Sequence, residues 1–83
     1  MAQRVRTNDE YAAFAKRALR AYAKRVAVSD MEDLQRMLEL RDEFDAMIAT
    51  AVAGVRDSGG YSWTAVGEAA GITRQSAWER WAA

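Results

Sequence analysis

Not one proline interrupts the 83 residues, and that absence constrains the fold more than any other feature. Proline breaks helix interiors, and the chain is instead rich in Ala, Arg, Glu and Met, which favour helix. No stretch alternates polar and apolar side chains for long enough to suggest a strand. The expected fold class is therefore all-α. The apolar side chains number 42, but 18 of them are Ala, so 24 larger ones remain to build a core. A domain this small buries only about 60–65% of its unfolded surface. So thin a core suggests close helix packing and help from a second subunit.

Start and stop signals divide the chain into four helices. Thr7 and Glu10 have capping-box spacing, with Thr7 as N-cap. From there Tyr11, Phe14, Ala15, Ala18, Leu19, Tyr22 and Val26 recur with helical period, and Lys16, Arg17, Arg20 and Lys24 fall on the opposite face. This helix should stop near Val28. Ser29 and Glu32 repeat the capping-box spacing, with Asp30, Glu32 and Asp33 crowding a first turn that suits negative charge. Glu32–Arg36 and Arg41–Asp45 are expected i,i+4 pairs. The second apolar stripe runs Leu34, Met37, Leu38, Phe44, Ile48, Ala51, Val52 and Val55, to an end near Arg56 or Asp57, about 40 Å at 1.5 Å per residue. Ser58, Gly59 and Gly60 terminate it. Two short helices follow. Ser62 is the expected N-cap of one over Trp63 to Ala70, and Thr73 of another over Arg74 to about Ala82, with Gly71 breaking the chain between them. No wing or further domain is expected after the last.

Composition excludes several classes of function. Without Cys there is no disulfide framework and no Cys-type zinc site. Without His the commonest general base and metal ligand is missing, and no Ser-His or Cys-His nucleophile can be built. Asp42, Glu43 and Asp45 lack metal-ligand spacing and read as a solvated face. No catalytic residues, metal site or cofactor are expected, and no small-molecule effector is evident. No apolar run approaches the ~20 residues of a membrane span. The N-terminal MAQRVRTNDE leads into a charged helix without a signal-peptide core. A cytoplasmic protein is the expectation.

Net charge is zero, but it is unevenly spread. Residues 1–28 carry a net +5, residues 29–60 a net −5, and residues 61–83 none. The basic face of the first helix either answers the acidic second helix, within or between subunits, or meets phosphates. Met31, Met37 and Met47 read as core filler. Trp63 reads as core, Tyr61 as packing at a bend, and Trp78 either as an interface or DNA residue or as half-buried cover.

Residues 62–81 read SWTAVGEAAGITRQSAWERW. This segment resembles the helix-turn-helix of small actinobacterial and actinophage DNA-binding regulators, which follow an SW–IG–A–GV–RQ pattern. The resemblance covers about a quarter of the chain. In it Val66 and Ala70 face the core, Gly67 stands where the helices cross closely, Gly71 turns left-handed, Ile72 plugs the turn and Ala77 anchors the second helix. That second helix would lie in the major groove. Thr73, Arg74, Gln75, Ser76, Trp78, Glu79 and Arg80 are its candidate DNA-binding residues. Arg and Gln there can make two-pronged contacts to guanine and adenine. Lys16, Arg17, Arg20 and Lys24 are candidate phosphate contacts.

The expected organisation is a single helical domain over 1–83. Two long helices form an antiparallel hairpin over 7–57, the candidate dimerisation element, and the helix-turn-helix occupies 62–83. The expected function is sequence-specific duplex DNA binding in transcriptional control, as a repressor or Cro-like homodimer. The competing class is a protein-interaction module, such as an antitoxin or a sigma-factor-binding adaptor, and zero net charge is its best support.

Overall fold

The structure is a computed structural model and describes residues 7–82. The segment inspected for a signal-peptide core begins outside them, as do Arg4 and Arg6 of the basic N-terminal stretch. The described residues form four helices and no strand: α1 (Asn8–Ala27), α2 (Met31–Gly59), α3 (Trp63–Ala70) and α4 (Arg74–Trp81). The all-α class holds. No helix among the described residues is long and apolar enough to cross a membrane. The chain divides into two units between Leu40 and Arg41, inside α2.

In the first unit the caps set the helix ends. The Glu10 N–H donates to Thr7 Oγ1 at 3.2 Å, the N-cap bond expected for α1. α1 ends one residue before Val28, whose N–H donates to the Arg25 carbonyl at 3.4 Å. The start of α2 departs from expectation: Asp30, not Ser29, takes the capping role. Its carboxylate accepts the Asp33 N–H at 3.0 Å, and its carbonyl accepts the Leu34 N–H at 3.2 Å. The Ser29 N–H is still engaged by the Val26 carbonyl at 3.0 Å, so Ser29 closes α1 instead of opening α2. The Ser29 hydroxyl donates to the Asp33 carboxylate. Arg36 pairs with Glu32 at 3.1 Å, as the spacing predicts, and with Asp33 at 3.2 Å.

No described residue of this unit is buried. Tyr22, Ala23, Val26, Met37 and Leu40 are half-buried, whereas Tyr11, Phe14, Leu19, Leu34 and Leu38 are exposed.

In the second unit α2 runs two to three residues past its expected end, through Ser58 and Gly59. Gly60 then takes φ 67°, and its N–H donates to the Arg56 carbonyl at 3.1 Å, a left-handed cap. The extension costs little, because the glycine that must be left-handed is Gly60, so Gly59 is free to remain helical. Arg41 lies 3.7 Å from the Asp42 carboxylate, in place of the expected pairing with Asp45. Ile48, Val52 and Arg56, spaced four apart, form the half-buried line of α2 within this unit. Val66, Gly67 and Ala77 are the buried residues of the described chain. Trp63, Ala65, Ile72 and Trp81 are half-buried around them. Met31 and Met47 are exposed and fill no core; Met37 alone of the three is half-buried.

Candidate nucleic-acid interface

Helices α3 and α4 are the pair that packs closely, and their junction is built from local bonds. Ser62 Oγ accepts the Ala65 N–H at 3.1 Å and opens α3. At its far end Gly71 sits at φ 72°, ψ 28°. The Gly71 N–H donates to the Glu68 carbonyl at 3.2 Å, and the Ile72 N–H to the Gly67 carbonyl at 2.9 Å. These two bonds together are a Schellman cap, which needs a left-handed residue where glycine stands. Gly67 has a different reason to be glycine. A Cβ there would lie 2.9 Å from the Ile72 carbonyl oxygen and 3.0 Å from Thr73 backbone atoms. The approach that Gly67 permits is therefore between α3 and the turn backbone.

Thr73 then opens α4. Its Oγ1 accepts the Ser76 N–H at 3.0 Å, and its hydroxyl donates to Ser76 Oγ at 2.9 Å. Ala77 is completely buried, which points one side of α4 at α3. Helical spacing then puts Gln75 and Glu79 on the opposite side, with Ser76 at its flank. All three are exposed, as are Thr73, Arg74, Trp78 and Arg80. Gln75 Nε2 donates to Glu79 Oε1 at 3.0 Å, so the two central residues of this face form one polar unit. Arg80 stands apart from them. Its guanidinium lies 5.5 Å from the Trp81 ring, and it shares a recess with Asp45, Ala46, Ile48 and Ala49 of α2. Arg74 is the remaining cation of α4.

The expected core roles of Val66, Gly67, Ile72 and Ala77 agree with their placement, but Ala70 does not. It is exposed and lines an open apolar cleft together with Ile48 and Val52 of α2 and Trp81 of α4. Trp63 is held from α2: the Arg56 guanidinium lies 4.2 Å from its ring centroid. Arg56 Nε is buried there without a hydrogen-bond partner, which makes the stacked ring its main compensation. Sequence reading missed this pair, since nothing in its spacing marks a cation and an indole seven residues apart across a helix end. Tyr61 packs its ring over Gly59, where a Cβ would come within 2.8 Å of it.

Lys16, Arg17, Arg20 and Lys24 are all exposed on α1, and their spacing gathers them on one face. They belong to the first unit and the α4 residues to the second. Asp42, Glu43 and Asp45 are exposed, as a solvated face requires. No family model, curated protein or solved structure matches the chain.

Proposed function

We propose that the chain binds duplex DNA sequence-specifically, with α3 and α4 as a helix-turn-helix and α4 as the helix that enters the major groove. The observation that carries this reading is the α3–α4 junction. A left-handed glycine and a second glycine under the turn seat α4 by one buried alanine and leave its polar side open. In this geometry the N-terminal residues of the second helix meet base edges. Arg74 and Gln75 occupy that end. Each suits a two-pronged contact, Arg to guanine and Gln to adenine. Thr73 and Ser76 lie beside a phosphate, and Glu79 accepts from a cytosine amino group. Arg80, turned toward α2, contributes least.

One eight-residue helix on a chain of zero net charge makes few contacts. The functional form is therefore a homodimer that reads two half-sites about 34 Å apart, or a multiple of that. The two long helices carry the dimer seam through their apolar stripes, with half-buried Leu40 and exposed Phe44 at mid-helix. Lys16, Arg17, Arg20 and Lys24 supply phosphate contacts. The biological role is that of a cytoplasmic transcriptional regulator.

Fluorescence anisotropy with random duplex at low salt, followed by selection from a random pool, tests the reading. Salt-sensitive binding and an enriched two-part motif are expected. No binding at low salt overturns it and leaves the protein-interaction module, which the neutral charge favours.

A further inference from the structure

We propose that the apolar cleft of the second unit is the seat for helix α1 of a second copy of the chain. Ile48, Val52 and Val55 of α2, Ala65 and Ala69 of α3 and Trp81 of α4 wall this cleft, which has a volume of about 550 Å³. No charged or amide side chain lines it. A small-molecule site of that size carries a few fixed polar groups to orient its ligand. A cleft of alanine, valine, isoleucine and aromatic rings instead suits the apolar side of an amphipathic helix.

α1 is such a helix, and three observations select it. No residue of α1 is buried; Tyr11 is 59% exposed and Leu19 45%. The lengths agree: Ile48 to Val55 spans about 10 Å of α2, and the anchors Tyr11, Ala15 and Leu19 span about 12 Å of α1. The charges are complementary. α1 carries five basic and two acidic side chains, and residues 41–82 carry four basic and six acidic ones. With Tyr11, Ala15 and Leu19 in the cleft, Lys16 and Arg25 flank the seat toward the acidic unit, and Arg17, Arg20 and Lys24 remain on the outer side of α1, free for the phosphates. Two such seats related by a twofold axis close the assembly at two chains. The seat rests on the homodimer of the proposed function and is independent of DNA binding.

The chain has no cysteine, which makes a mixing experiment clean. Full-length Ala15→Cys and Ala69→Cys variants are oxidised separately and as a mixture. A disulfide-linked product of twice the 9.3 kDa chain mass is expected in the mixture, well above either variant alone. Leu19→Glu and Ala69→Glu, both at exposed positions, should each raise the dimer dissociation constant at least tenfold in sedimentation velocity, with unchanged helical circular dichroism. A mixture that links no better than its components overturns the seat. So does a double-cysteine chain that closes within itself at monomer mass, because the cleft is then filled by its own α1. Wild-type dimerisation in both glutamate variants overturns the seat but spares the homodimer. A monomeric wild type at micromolar concentration overturns both.

Discussion

Three glycines of this chain illustrate how the same residue type answers different demands. Gly54 lies inside α2, and a Cβ there would meet nothing within 4 Å. Gly54→Ala should stabilise the chain by about 0.5–1 kcal/mol through helix propensity. Gly67 is also helical and would gain the same propensity, but its Cβ would press on three backbone atoms at 2.9–3.0 Å. Backbone yields poorly, and overpacking costs about 1–3 kcal/mol, so Gly67→Ala should destabilise. Gly71 has open space but a left-handed backbone, so Gly71→Ala should cost about 1–2 kcal/mol. Urea unfolding of the three variants checks the order, and a stabilising Gly67→Ala would contradict the close approach. At the exposed face of α4, Gln75 donates to Glu79, which turns its amide oxygen away from that carboxylate. Gln75→Ala and Arg74→Ala should each relax the preference at one or two base pairs by about 1–3 kcal/mol. Glu79→Ala should alter discrimination at the Gln75 position with less effect at the Arg74 position. Competition binding against single-base operator variants separates these outcomes.

At the scale of the element, helix boundaries followed backbone bonds more closely than they followed cap spacing. Ser29 and Glu32 satisfy a capping box on paper, yet Asp30 receives the Asp33 N–H, since the Ser29 N–H already serves the end of α1. Asp30→Ala should therefore cost about 0.5–2 kcal/mol, and Ser29→Ala less. Thermal unfolding distinguishes them, and equal losses would restore Ser29 to the cap. α3 and α4, at eight residues each, are shorter than the ~12–15 residues at which an isolated helix is marginal in water. They persist through Val66, Gly67 and Ala77, through their serine and threonine caps, and through the Arg56–Trp63 stack that ties α3 to α2.

For the whole molecule, burial is the governing quantity. Three of the described residues are buried, and Phe44 is 54% exposed at the middle of α2. A long helix with no buried residue draws little stability from within its own chain, so a second copy is the expected source of the remainder. Light scattering at micromolar concentration should report twice the 9.3 kDa chain mass, and Phe44→Glu should lower it. A persistent dimer in Phe44→Glu moves the seam elsewhere. If Lys16, Arg17, Arg20 and Lys24 meet phosphates, each alanine substitution should reduce the slope of log affinity against log salt by about 0.9. An unchanged slope assigns the basic face of α1 to pairing with acidic protein surface instead.

Helix number, the Thr7, Ser62 and Thr73 caps and the left-handed Gly71 were all legible from the sequence. Each depends on neighbours within four residues, where sterics and hydrogen-bond geometry leave few choices. The tertiary structure alone decided which apolar residues are covered. The stripe on α2 reads as continuous, yet Ile48 and Val52 are half-buried while Phe44 and Val55 stay exposed. It also decided that Arg56 lies on Trp63, that Arg80 turns to Trp81, and that Ala70 opens onto a cleft. Periodicity assigns a side chain to a face, but burial depends on whether another element arrives opposite that face, and that is a long-range property the local pattern does not carry.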